Sequence, residues 1–393
     1  MRIIVGLLVT LFCSLTLVKA QNFIDEDNNE QSLQLNTITT AVPFLLIGPD
    51  ARHGAMGDVG VATAPDASSM HWNPAKYAFV EDDFGFAVCY TPWLRALIPD
   101  ITLSYLSGYV RRNDNESFGF ALRYFSLGDI TFTDNNGYAY GQYSPNEFAL
   151  SSTYARKLHD NLSTAIALRF INSNLTGGVD VANQATQAGR SIAADIATYY
   201  VKEVRFAGND LDVAAGMNIS NMGNKIAYTE TSVRDFIPIN MRIGSSASTS
   251  FDEYNALSFS IDFNKLLVPT PDSAGTNSDV SVVSGIFQSF GDAPGGAKEE
   301  FSEVNYSLGA EYWYDQQFAV RAGYFHEAPN KGDRRYFTMG AGVKYNVFRL
   351  DFSYLFPVMR RDASGATNPL ANTLRFSLVF DFGAFEEQVK TEL

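Results

Sequence analysis

The sequence predicts an all-β protein: a transmembrane up-and-down antiparallel β-barrel of about fourteen strands, closed around a plug made from its own N-terminal segment. Three observations carry that expectation. From residue 83 onward apolar and polar side chains alternate with a period of two, as in strands with two unlike faces. The links between these runs alternate between short and long over the whole chain. A leader precedes them, and no later stretch approaches the roughly eighteen consecutive apolar residues of a spanning helix. An exported chain with abundant Phe and Tyr and no helical span crosses a membrane with strands.

Residues 1–20 read as a signal peptide. Arg2 gives the positive start, Ile3 to Val18 the apolar run, and Val18-Lys19-Ala20 a small-residue cleavage site before Gln21. Bulky Phe12 before Cys13 argues against lipidation there. Residues 21–48 form a mature N-terminal segment that opens on the acidic run Asp25–Glu30, expected to be solvated, and turns apolar at Phe44–Ile47. Residues 49–82 read as neither a strand pair nor an amphipathic helix. Gly54, Gly57 and Gly60 permit close backbone approach, small residues run from Val61 to Ser69, and Asn73-Pro74 forces a turn. Such a segment buries no core of its own and must pack inside something larger. It is expected to be a hatch on the periplasmic side of the barrel.

Residues 83–382 supply the barrel. In the last run Leu374, Phe376, Leu378, Phe380 and Phe382 face away from Arg375, Ser377 and Asp381. Periodicity alone leaves a soluble sandwich open, but the links favour the barrel. Short ones lie near Asn113, Asp160, Ala207, Asp252, Asp315 and Asn346; long ones span 93–100, 129–144, 174–188, 222–237, 265–302, 328–334 and 357–371. Short periplasmic turns and long outer loops are the signature of such barrels. An even strand number places both termini in the periplasm, with residues 383–393 as a tail. Tyr90, Trp93, Tyr124, Trp313, Tyr314 and Tyr354 stand where interfacial aromatics would. Within 265–302, Ile286, Phe287 and Phe290 offer either a partner contact or a fold-back over the barrel mouth.

The formal charge of −14 argues against a nucleic-acid partner. With Cys13 in the leader, Cys89 alone remains, which excludes an intramolecular disulfide and a thiolate metal cluster. His53, His71, His159 and His326 lack metal-ligand spacing, and neither G-x-S-x-G nor a P-loop occurs. No catalytic residue, metal or cofactor is therefore expected, and His53 and His71 are read as hydrogen-bonding within the hatch. Asp50, Arg52, Asp58 and Lys76 are expected to pair with lumen-facing charges such as Arg169, Arg321 and Glu311.

Pro49-Asp50-Ala51-Arg52, Met56-Gly57-Asp58, Val61-Ala-Thr63 and Asn73-Pro74-Ala75-Lys76 resemble the hatch of the FadL-like outer-membrane barrels. Within that superfamily the sequence is most similar to the PorV (LptO) family of the type IX secretion system. The resemblance implies a barrel set in outer-membrane lipid and lipopolysaccharide. It also implies a non-enzymatic role: binding the C-terminal signal domain of secreted cargo and shuttling it from the SprA/Sov translocon to an attachment complex of PorU, PorQ and PorZ. A FadL-type channel for hydrophobic small molecules is the alternative. A lipopolysaccharide-modifying enzyme is least supported, for want of catalytic spacing.

Overall fold

A computed structural model of the chain describes residues 36–95, 98, 100–133, 138–178, 185–206, 208–229, 234–271, 280–358 and 368–383. The leader, the acidic run and the tail after Gly383 lie outside the described residues.

The first strands are β1 (Phe84–Pro92), β2 (Thr102–Asn113) and β3 (Glu116–Ser126), followed by a side hairpin of β4 (Ile130–Thr133) and β5 (Ala139–Tyr143). The barrel continues through β6 (Asn146–His159), β7 (Leu162–Asn174), β8 (Gly189–Phe206), β9 (Asn209–Gly223), β10 (Asn240–Ser250) and β11 (Asn255–Leu266). It ends with β12 (Asn305–Tyr314), β13 (Phe318–His326), β14 (Arg335–Tyr345), β15 (Phe348–Pro357) and β16 (Leu374–Asp381). Fourteen of these, all but β4 and β5, form one closed antiparallel ring among the described residues. β1 closes on β16 from Gly85 opposite Asp381 to Tyr90 opposite Phe376.

Side chains sort by the pleat. On β16 Arg375, Ser377 and Val379 are buried while Phe376 and Leu378 are exposed; on β1 Ala87, Cys89 and Thr91 are buried while Val88 and Tyr90 are exposed. A band of exposed Leu, Ile, Val and Phe around a polar interior is the reverse of a soluble barrel and suits lipid. One end of the ring carries turns of two to four residues, and the other carries links of eight residues or more, the longest running from 267 to 304. Trp93 and Trp313 turn inward, contrary to the interfacial expectation. Trp93 packs on a core cluster at the long-link end, and Trp313 lies 5.4 Å from the Arg321 guanidinium.

Residues 36–82 fill the interior with single turns. These are a 3-10 turn at Pro43–Leu46, α1 (Ala51–Gly54), α2 (Ser69–Trp72) and a second 3-10 turn at Pro74–Phe79. The segment runs through the lumen from one end to the other. Asn36 N donates to Asn330 O, in the link after β13, and Ala41 N donates to Phe236 O, in the link after β9. Phe79 instead reaches Lys157, near the short-turn end. Asn36 and the end of β16 therefore lie at opposite mouths, and the chain's two termini, expected on one side, lie outside the described residues. The cause is apolar: Val42, Phe44 and Leu45 are captured by Ile237, Ile239, Leu267 and Val268 at the long-link mouth.

Two long links hold secondary structure where the sequence predicts only loop. Residues 129–144 contain the β4–β5 hairpin, and 265–302 contains α3 (Val282–Gln288) and α4 (Ala297–Ser302). Ser281 caps α3 by accepting from Ser284 N at 3.1 Å.

Candidate functional site

The hatch meets the wall through a closed ring of alternating charges. Arg52 grips Glu311 of β12 with two parallel bonds, Nε to Oε2 at 3.0 Å and Nη2 to Oε1 at 2.8 Å. Glu311 also accepts from Arg321 Nε at 2.6 Å, and Arg321 Nη1 donates to Asp351 at 2.7 Å. Asp351 accepts from Arg349 Nε at 2.7 Å, Arg349 Nη2 stands 3.6 Å from Asp66, and Asp66 accepts from Arg52 Nη1 at 2.9 Å. Three guanidiniums and three carboxylates thus close a neutral circuit, with Arg52 and Asp66 from the hatch and the rest from the wall. Buried charges are tolerable only when paired in this way. Burial alone would raise the Asp66 carboxyl, but His53, Arg52, Lys76 and Arg349 outweigh it and hold it below its ordinary value of 3.8.

The other hatch residues divide between anchoring and internal bracing. Asp58 accepts from Arg375 Nη1 and from the Tyr336 hydroxyl, both at 2.6 Å. Asp50 caps α1 by accepting from His53 N at 3.0 Å. Its two oxygens also take His53 Nδ1 and Trp72 Nε1, each at 2.7 Å. His53 Nε2 lies 3.0 Å from the Thr63 hydroxyl, so His53 braces the hatch internally, as expected. His71 instead reaches the wall: Arg123 Nη2 donates to its Nδ1 at 2.8 Å. Burial, then Arg123 and Arg242, push His71 well below its ordinary value of 6.5 and keep it neutral.

The step Asn73-Pro74-Ala75-Lys76-Tyr77 reads almost residue by residue. The Asn73 side chain caps the following 3-10 turn by accepting from Ala75 N at 3.0 Å, and its amide donates to Val61 O and Thr198 O, both at 2.9 Å. Pro74 occupies the first position of that turn, where its missing N–H costs nothing. Ala75 O accepts from Ser163 at 2.7 Å. Lys76 Nζ donates to Gly60 O and Thr63 at 2.9 and 3.0 Å, and burial pushes its ammonium down to about 8. Tyr77 ties back to Ala67 O at 2.8 Å.

Met56 and Gly57 press their backbone on the wall. A Cβ on Gly323 of β13 would stand 2.0 Å from Met56 C, and one on Gly57, at φ +72°, would stand 2.7 Å from Tyr324 N. Both glycines are required by this close approach. Of the pairings expected from sequence, Arg52 with Glu311 is present, whereas Arg169 pairs with Asp195 of β8 and Arg321 with Glu311 and Asp351.

The hatch lies between two cavities. One of about 410 Å³ opens toward the long links and includes Ile38, Leu46, Arg242, Phe325 and Arg375. The other, about 620 Å³, lies toward the short turns beside Arg52, Glu311 and the serines of β10 and β11.

In the longest link the sequence-predicted trio splits. Ile286 packs inward with Val280 and Val282 against the mouth cluster, in line with the fold-back alternative. Phe287 and Phe290 face out, 74% and 50% exposed, beside Val283 and Phe301. An i, i+4 pair on each side of a helix under two turns long gives α3 two apolar faces, one used for packing and one free. Phe290 and Phe301 also line a groove of about 330 Å³ with Met241, Ile243 and Phe263 of the barrel's outer face.

The sequence model described as "Type IX secretion system protein PorV" matches residues 28–273, more than half of the chain. No curated protein sequence matches. Solved structures that resemble the barrel include a TodX deltaS2S3 mutant monoaromatic hydrocarbon channel, 13% identical at TM-score 0.49 over 84% of this chain and 97% of that one. The Pseudomonas putida toluene transporter TodX is 12% identical at TM-score 0.47, over 88% and 98%. The Ralstonia pickettii toluene transporter TbuX is 12% identical at TM-score 0.46, over 85% and 97%. At that level these likenesses add no weight, and the fold rests on the strand order itself. The family match covers the hatch and the barrel as far as β11, and the chain belongs to the PorV family of type IX secretion system proteins as an outer-membrane β-barrel.

Proposed function

We propose that this barrel is the docking and shuttling component of type IX secretion. It binds the C-terminal signal domain of secreted cargo, receives it from the SprA/Sov translocon, and delivers it to the surface complex of PorU, PorQ and PorZ. The observation that carries this reading is the free apolar face of α3, set at the long-link mouth of a barrel whose lumen is filled by the hatch. Long links belong outside the cell and short turns in the periplasm, so that face meets partners at the cell surface. The groove joining Phe290 and Phe301 to Met241, Ile243 and Phe263 runs onto the lipid-facing wall, which favours a partner itself embedded in the membrane. The role is one of binding, not catalysis.

A FadL-type channel for hydrophobic small molecules is the second reading. The 410 Å³ chamber favours it, with Ile38, Leu46, Ile47 and Phe325 on one side, although Arg242, Arg334 and Arg375 also line it. Gentle purification from outer membranes, with mass spectrometry of everything that co-elutes, decides between them. Recovery of a very large barrel, a sortase-like protein or exported proteins sharing a C-terminal β-domain is expected. A lone barrel carrying apolar ligands would overturn the shuttle reading in favour of the channel.

A further inference from the structure

Away from the charge ring, α2 and the Pro43–Leu46 turn meet β2, β3, β6 and β7 around an internal chamber of about 20 Å³. That is room for one water-sized body. Its polar lining is Tyr105, Arg123, Ser151, Arg169 and His71, and the remainder is apolar. Arg169 is balanced by Asp195 at 2.8 Å. Arg123 is not balanced by a carboxylate at hydrogen-bond distance among the described residues: its bonds go to Phe44 O at 3.0 Å, Leu45 O at 2.7 Å and His71 Nδ1 at 2.8 Å. All three acceptors are neutral, since His71 accepts at Nδ1 and is held uncharged between Arg123 and Arg242.

The hydroxyls point the same way. Tyr105 is buried, and its hydroxyl has no hydrogen-bond partner among the described residues. Its ring lies 5.3 Å from the Arg123 guanidinium. Ser151 Oγ accepts from Arg169 Nε at 2.9 Å, which leaves its own hydrogen to donate. A small chamber with an uncompensated guanidinium and two available hydroxyl donors is short of one acceptor carrying negative charge. A water would satisfy Tyr105 but leave the charge of Arg123 unbalanced in a medium of low dielectric. We propose that the chamber is a site for one monatomic anion, chloride under ordinary conditions, held by Arg123, Tyr105 and Ser151. By fixing Arg123, the ion fastens the Phe44 and Leu45 carbonyls and His71 to the wall.

Two measurements on the full chain test this. Crystals soaked in sodium bromide should show an anomalous peak within hydrogen-bond distance of Arg123 and the Tyr105 hydroxyl. Amide exchange at residues 44–46 and 69–72 should be several-fold slower in chloride than in gluconate of equal ionic strength. Tyr105→Phe should abolish that difference while the barrel stays folded. An ordered water with no bromide peak would overturn the proposal. A bromide peak without any anion dependence of exchange would mean an adventitious ion only and would overturn the fastening role. A Tyr105→Phe protein that keeps the full difference would remove the hydroxyl from the site.

Discussion

The hatch and the longest link both carry bulky apolar side chains, and they treat them oppositely. In the hatch Met56, Met70, Trp72 and Tyr77 are each at most 1% exposed. In the link Phe287 and Phe301 are 74% and 78% exposed. The difference follows from what surrounds them. Around the hatch, wall positions are alanine, glycine, serine, tyrosine or charged, so that the hatch packs closely, and Arg52, Asp58 and Asp66 each find an opposite charge. The link stands beyond the ring, with only one face of α3 against protein. Burial inside the barrel is specified by close apolar packing together with polar pairing, whereas exposure at the mouth leaves apolar surface free for a second molecule.

That contrast can be broken from its strongest point downward. Arg52→Met leaves Glu311 and Asp66 buried without their shared cation, a loss of about 3–5 kcal/mol. Residues 40–80 should become protease-sensitive while the barrel keeps its heat-modifiable migration, and unchanged protection would show that the ring does not hold the hatch. Gly57→Ala forces a Cβ onto the Tyr324 backbone from a left-handed conformation and should cost on the order of 1–3 kcal/mol, read by the same protection. Asn73→Ala removes a cap and orphans Val61 O and Thr198 O, at about 1–3 kcal/mol; equal hydrogen exchange at residues 74–79 would contradict it.

Acid provides a graded version. Asp66 has its carboxyl depressed in the folded chain, so its contribution is fully present above 3.8 and is lost as the pH falls below that value. Protection of the hatch should decline in that range, and Asp66→Asn should flatten the decline. The smallest structural effect belongs to the link. Phe287→Ser with Phe290→Ser should alter barrel stability by no more than about 0.5 kcal/mol yet deplete co-purified partners. Undiminished recovery of partners would turn the α3 face into mere surface.

The strands were legible because each pits a lipid face against a polar lumen, and a period of two survives wherever both faces are constrained. The hatch was legible as a plug from its glycines and from Asn73-Pro74, and Arg52 with Glu311 was legible because a buried guanidinium needs a carboxylate. The circuit through Asp351 and Arg349 was not, since both stand on β15 while Glu311 and Arg321 stand on β12 and β13, and only the pairing of β12 through β15 sets them side by side. The two helices of the longest link escaped because each is short and flanked by Gly, Pro and Ser. The sequence left Ile286, Phe287 and Phe290 open between partner contact and fold-back because a single turn can bury one neighbour and expose the next.

Two of the hatch's anchors, Arg375 to Asp58 and Ser377 to Ala51 N at 2.8 Å, reside on β16. A segment made before the barrel strands is therefore fastened by the last of those strands among the described residues. Sealing of the wall and seating of its filling become a single closing event, and a chain cut short before β16 has neither a complete ring nor a fully moored plug. Full protection of residues 49–82 would then report that the barrel strands through β16 have all arrived.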